Sequence, residues 1–275
     1  MFIVHTSVAR FLSSLQGGLA TFCRELEVLS RQRHPFILRL LGATVSPPDH
    51  CWVITELLHG GTVTEWLHGE KKRTWYRKVP LPALTERLRI ALEVALGMQY
   101  LHEQKPMVVH RDLKPSNIFL DDGRHAHIAD FGYARFLRPS DMYLSGETGT
   151  YMYMAPEVVR RDQYNHKCDV YSFGVLLNEL VTGVPPYIDK QLTPVQIANG
   201  VADGWLRPAV SKSMQSDLLE LISSCWSQDP QKRPNFSEAV SVLKAVRERA
   251  VYQRLVPRSF TSTGSSGTTT SPTSE

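Results

Sequence analysis

The sequence predicts an α+β fold in two parts, a small strand-bearing part followed by a larger and mainly helical one. Three observations carry that expectation. The two apolar runs with the length and β-branched content of paired strands, residues 37–45 and 51–56, both lie ahead of Gly60-Gly61. Beyond that glycine pair, apolar residues recur at steps of three and four over two long stretches. A chain of 275 residues is also long enough to bury a sizeable core, which excludes a disulfide-stapled mini-protein.

In chain order, Phe22, Leu26 and Leu29 step by four and then three, so they form one stripe of a helix. That helix must stop before His34-Pro35, because a residue preceding proline is disfavoured in the α region. Glu25 borders the stripe. Residues 37–45 and 51–56 read as two strands joined by a turn at Pro47-Pro48-Asp49. Leu84, Leu88, Leu92, Ala95 and Met98 or Gln99 then mark a long helix ending near His102, and Val170, Phe173, Leu177, Leu180 and Val181 mark a second. Between them, residues 118–120 and 125–129 have the pattern of two short strands around the turn Asp121-Asp122-Gly123-Arg124. Twelve of the last seventeen residues are Ser or Thr, with Phe260 the one large apolar side chain. Such a segment buries too little to offset its ordering entropy, so residues 252–275 are expected to form a disordered tail.

Lys plus Arg exceeds Asp plus Glu by 31 to 27, and the longest basic run is Lys71-Lys72-Arg73. No nucleic-acid partner is implied. The apolar stretches are interrupted by Arg39, Asn178 and Glu179, so no membrane span is expected either. Cys23, Cys51, Cys168 and Cys225 stand 28, 117 and 57 positions apart, which offers neither a zinc pair nor a redox pair. Free thiols suit a reducing compartment, and the expected localisation is cytoplasmic.

The chemistry is concentrated between the two long helices. There the chain reads Val108-Val109-His110-Arg111-Asp112-Leu113-Lys114-Pro115-Ser116-Asn117, and Asp130-Phe131-Gly132 begins thirteen positions after Asn117. The intervening hairpin brings Asn117 and Asp130 together at its open end. An amide oxygen and a carboxylate converging there are hard ligands suited to Mg²⁺. Asp112, five residues before Asn117, can face the same centre.

These segments resemble the catalytic loop and metal-binding motif of eukaryotic protein kinases. The likeness continues through Gly149-Thr150-Tyr151-Met152-Tyr153-Met154-Ala155-Pro156-Glu157, Cys168-Asp169-Val170-Tyr171-Ser172-Phe173-Gly174-Val175, Cys225-Trp226, Asp229-Pro230 and Lys232-Arg233-Pro234. The Trp226 segment and Tyr171-Ser172-Phe173-Gly174 are similar to the tyrosine-kinase-like group, especially plant Raf-like serine/threonine kinases. The resemblance implies a two-lobe protein-kinase-like domain over residues 1–251, with a small-lobe remnant at 1–58 and a complete large lobe at 59–251. It implies ATP and Mg²⁺ as cofactors and phosphoryl transfer to protein hydroxyls in intracellular signalling. Asp112 would accept or orient the substrate hydroxyl proton, Lys114 would neutralise charge on the transferring phosphoryl group, and Asn117 and Asp130 would hold Mg²⁺. Glu25 would pair with an ATP-contacting lysine, Thr55 would stand at the back of the adenine pocket, and Glu56 to Leu58 would form the hinge.

Further roles follow from the same resemblance. His110 and Phe131 would pack with Leu29 as an apolar spine. Asp169 would anchor the catalytic-loop backbone, and Glu157 would pair with Arg233. Lys114 and Thr150 bracketing Asp112 imply Ser and Thr, rather than Tyr, as the residues modified in protein substrates. The segment holding Tyr143, Ser145, Thr148 and Thr150 invites an upstream activating kinase, since a phosphate on Ser145 or Thr148 could pair with Arg111.

In one respect the sequence departs from that family, which reads ATP with a glycine-rich loop and a strand lysine ahead of the helix bearing Glu25. The first lysine here is Lys71, and His5, twenty residues before Glu25, stands where the lysine is expected. Two expectations compete: a truncated form of an ordinary kinase, or a catalytically silent pseudokinase acting as a protein-interaction scaffold.

Overall fold

Helices dominate the computed structural model of the chain, which describes residues 15–46, 50–69, 79–138, 143–144, 149–211 and 213–255. His5, the turn at Pro47-Pro48-Asp49, Ser145, Thr148 and residues 256–275 of the expected tail lie outside the described residues. The first helix, α1 (Leu15–Leu29), contains Gly17-Gly18 and buries Phe22, Val28 and Leu29, with Leu26 half-buried. The strands β1 (Leu40–Ser46) and β2 (His50–Thr55) pair antiparallel. The first strand therefore starts three residues later than the apolar run at 37–45 suggests. The reason is a different partner: Ile37 bridges Ile128, with Leu38 N–H donating to the Ile128 carbonyl at 2.9 Å.

After β2 comes the short helix α2 (Val63–His68), opened by a capping box in which Thr62 and Glu65 satisfy each other's backbone N–H groups. The long helix α3 (Leu84–Glu103) buries Leu88, Leu92, Ala95 and Met98 of the spaced stripe, leaves Leu84 half-buried, and also buries Ile90, Ala91, Val94 and Leu101. It is covered nearly all round, as a central helix must be. The strands β3 (Met107–Val109) and β6 (Arg135–Leu137) form one antiparallel pair, and β4 (Ile118–Leu120) and β5 (Ala126–Ile128) form the expected hairpin, in register Ile118 to Ile128. Glu93 of α3 pins that hairpin, accepting from the Ala126 N–H at 2.9 Å while pairing with Arg89 at 3.0 Å.

The remaining helices are α4 (Pro156–Val159), α5 (Lys167–Thr182), α6 (Pro194–Ala202), α7 (Ser216–Cys225) and α8 (Phe236–Leu255). The last runs four residues past the boundary expected at 251, with Val251 and Tyr252 exposed on its final turn. Helix α5 is the buried axle, with every residue from Cys168 to Leu180 buried. It approaches α7 at Gly174, where a Cβ would stand 2.7 Å from Cys225 Cβ, so any larger residue would push the two helices apart. Arg87 reaches across from α3 to cap α5, donating to the Leu180 carbonyl at 2.7 Å and to the Val181 carbonyl. The α+β division holds, and every element that flanks the Asp112 segment rests on this helical core.

Candidate active site

The loop 110–114 follows β3 directly, and its conformation is fixed from below by α5. Asp169, fully buried in the first turn of α5, accepts the backbone N–H groups of His110 and Arg111 at 2.8 Å each. His102 Nε2 lies 2.9 Å from the same carboxylate. Burial would raise the Asp169 carboxyl, but the hydrogen bond and charge of His102, with His110 and the Arg111 amide, outweigh it and hold the group below the usual aspartate range. A charged Asp169 thus clamps two successive amides. Arg111 can then hold its left-handed backbone, with φ at 69°, a conformation that costs a non-glycine residue energy unless its surroundings enforce it.

That geometry delivers Asp112 into a ring of donors. Its Oδ2 accepts from Lys114 Nζ at 2.6 Å and from Asn117 Nδ2 at 3.0 Å, while its Oδ1 accepts from the Thr150 hydroxyl at 3.1 Å. Lys114 Nζ also donates to Thr150 Oγ1 at 2.8 Å, so one ammonium bridges the carboxylate and the hydroxyl. Thr150 arrives from the far side through Gly149, whose φ of 104° and approach to the Arg111 carbonyl exclude a side chain: a Cβ would stand 2.7 Å from that oxygen. Asp112, Lys114, Asn117 and Thr150 are therefore brought together as one cluster from two stretches of chain, residues 112–117 and 149–150.

The Asn117 amide carries a second consequence. With Nδ2 donating to both the backbone and the side chain of Asp112, its Oδ1 remains an acceptor without a protein partner among the described residues. The Ala129 N–H donates to the Asn117 carbonyl at 2.9 Å, extending the hairpin ladder and setting Asp130 beside that end. Asp130 itself adopts the left-handed region, φ 61° and ψ 71°. An amide oxygen and a carboxylate are the donor types a hard divalent cation takes, so the residues fit Mg²⁺. Among the described residues no group of three or more His, Cys, Asp or Glu side chains is arranged to hold a metal ion.

Phe131, behind Asp130, stacks in a tilted contact on His110 with ring centroids 5.0 Å apart. The Nε2–H tautomer of His110 donates to the Ala129 carbonyl at 3.0 Å and leaves Nδ1 to accept the Asp112 N–H at 3.3 Å. Leu29, His110 and Phe131 are all fully buried. Helix α1 packs on the turn Phe131–Tyr133, where Arg24 donates to the Gly132 carbonyl at 2.8 Å. This packing brings Glu25 toward Asp130. Burial, and then the charge of Asp130, push the Glu25 carboxyl up to about 7, and no cation pairs with it among the described residues.

The hinge candidates lie at the end of β2. Thr55, Glu56 and Leu58 are half-buried; the Thr55 hydroxyl donates to the Glu56 carbonyl at 3.2 Å, and Glu56 Oε1 accepts from the Arg39 N–H at 2.8 Å. The expected ion pair Arg233 with Glu157 is bidentate, at 2.6 and 2.8 Å, and buried.

Sequence reasoning missed two polar links. Glu179 of α5 accepts from the Tyr153 hydroxyl at 2.5 Å and lies 2.8 Å from His68 Nε2 of α2. Arg111 holds the Tyr164 hydroxyl at 2.8 Å and the Tyr133 carbonyl at 2.7 Å. Both join residues far apart in the chain, so no local pattern announces them.

The family described as Protein kinase domain matches residues 10–243. The chain is 37% identical over 225 residues to serine/threonine-protein kinase STY46 of Arabidopsis thaliana, covering 82% of this chain and 37% of that protein. It is 40% identical over 228 residues to serine/threonine/tyrosine-protein kinase HT1 of the same plant, covering 82% of this chain and 55% of HT1. With serine/threonine-protein kinase CTR1, also from Arabidopsis thaliana, identity is 35% over 232 residues, covering 84% and 27%. The chain thus spans between about a quarter and just over half the length of these relatives.

Proposed function

This chain belongs to the protein kinase family, and on that premise we propose that it is a serine/threonine kinase domain that transfers the γ-phosphate of ATP to protein hydroxyls. The observation that carries the reading is the Lys114 ammonium bridging Asp112 and Thr150. In that arrangement Asp112 orients the incoming hydroxyl and receives its proton, while Lys114 stabilises charge as it develops on the transferring group. Thr150 holds both from the opposite side. Asn117 Oδ1 and the Asp130 carboxylate would hold Mg²⁺, which supplies charge neutralisation on the phosphate oxygens. Thr55, Glu56 and Leu58 would receive the adenine. Domain limits of 1–58 and 59–251 for the two lobes belong to the same proposal, as do a cytoplasmic setting and an upstream activating kinase. No helix among the described residues is long and apolar enough to cross a membrane.

Glu25 qualifies how this chain engages nucleotide. Among the described residues the Glu25 carboxylate faces Asp130 with no cation beside it, the arrangement expected where the partner cation is not supplied. We therefore read the chain as a kinase domain that needs a cationic group opposite Glu25 for full activity. The same observation favours the second reading, a silent scaffold. The two are separated by incubation with γ-labelled Mg-ATP and a mixture of Ser, Thr and Tyr peptides, with and without a lysine-bearing strand joined ahead of residue 15. Label on Ser and Thr, increased by the added strand, is expected. Label confined to Tyr contradicts the serine/threonine assignment, and no label in either form contradicts the kinase reading and leaves the scaffold.

A further inference from the structure

Arg111 is the most heavily constrained backbone position of the candidate site, and one of its constraints comes from outside every motif. Its amide is held by Asp169, its carbonyl abuts Gly149, its Nε donates to the Tyr133 carbonyl at 2.7 Å, and its Nη1 donates to the Tyr164 hydroxyl at 2.8 Å. Tyr164 lies in the connection between α4 and α5 and is only 2% exposed. Both of its backbone polar groups are also engaged. The Leu144 N–H donates to the Tyr164 carbonyl at 2.6 Å, and the Tyr164 N–H donates back to the Leu144 carbonyl at 3.0 Å.

We infer that Tyr164 is a positioning residue, its phenol holding the Arg111 guanidinium while its backbone fastens the segment at Leu144, so that a neutral side chain ties that segment to the Asp112 loop. A buried phenol requires a hydrogen-bond partner, and a guanidinium is the strongest neutral-to-cation donor available to it. Arg135, Cys168 and Asp169 also act on the phenol through their charges, and a hydrogen bond to its hydroxyl comes from Arg111. Fixing the ring fixes the Cα of Tyr164, and the two-bond ring to Leu144 then has one rigid side. Release of the phenol removes the tie between that ring and Arg111. The guanidinium expected from sequence to await a phosphate is thus already engaged by a phenol. This inference goes beyond the proposed activity, because nothing in it depends on nucleotide or on phosphoryl transfer.

The test is amide hydrogen exchange on the full chain with Tyr164→Phe, which keeps the ring and removes the hydroxyl. Exchange at the Leu144 and Tyr164 amides should accelerate about tenfold or more, the loss of one charge-assisted hydrogen bond. The Leu120 amide, bonded to the Gly61 carbonyl at 2.8 Å, should stay within about twofold. In an Arg111→Met background, Tyr164→Phe should add less than about twofold, since the phenol acts through Arg111. The Nε–H resonance of Arg111 should also shift on Tyr164→Phe. Arg111→Lys, which keeps the charge without the planar fork, gives an independent approach and should accelerate the same two amides. Unchanged exchange at Leu144, equal acceleration at Leu120, or full additivity in the Arg111→Met background would each overturn the inference.

Discussion

Two carboxylates at the candidate site sit in opposite surroundings, and the contrast decides what each can do. Asp112 accepts three hydrogen bonds on its side chain, one from an ammonium, and is held in a single orientation. Glu25 faces another carboxylate, and burial followed by the Asp130 charge raises it to about 7. The sign of the stability effect follows from that raised value. The folded chain holds the Glu25 proton more tightly than the unfolded chain, whose ordinary value is 4.5, so this contribution is fully present below pH 4.5 and is lost as pH rises through 7. Glu25→Gln should therefore flatten the fall in stability across that window. It should also stabilise the fold by about 1–3 kcal/mol at pH 8, read from denaturant midpoints. An unaltered pH profile would mean that Glu25 already has a cationic partner.

Elements are tied to the site by buried ion pairs whose members come from distant segments. Arg233, in the connection before α8, makes its two bonds to Glu157 of α4 with both groups buried. Removing the cation strands a buried carboxylate, so Arg233→Met should destabilise the fold by about 3–5 kcal/mol, whereas the double variant with Glu157→Gln should recover part of that loss. Thermal or denaturant unfolding checks both. The elements themselves were legible in the sequence to the degree that their signals are local. The β4–β5 hairpin announced itself by alternation around a turn, and α3 and α5 by apolar spacing. Helix α2 was not among the expected elements, although its box Thr62-Val63-Thr64-Glu65 is an equally local signal. The start of β1 was not legible, because Ile37 pairs with Ile128 and only the folded chain puts them together.

At the scale of the whole molecule, the helical core turns a set of ordered motifs into one site. Asp169 and Ser172 of α5 hold the loops that carry Asp112 and Tyr153, so the same helix sets both sides of the candidate cleft. The residues placed by motif order, Asp112, Lys114, Asn117 and Thr150, share one set of hydrogen bonds. The links through Tyr164 and Glu179 did not show in the sequence, since each depends on two loops meeting over the core. The central claim is that Asp112 acts in the transfer step rather than in holding nucleotide. Asp112→Asn keeps the size and the acceptor of the side chain but cannot take a proton. Measured side by side in the lysine-supplied form, Mg-ATP affinity should stay within about threefold while the rate of γ-phosphate transfer falls by about 10²–10⁴. A variant that retains transfer, or one that loses nucleotide affinity in proportion to rate, would contradict the assignment.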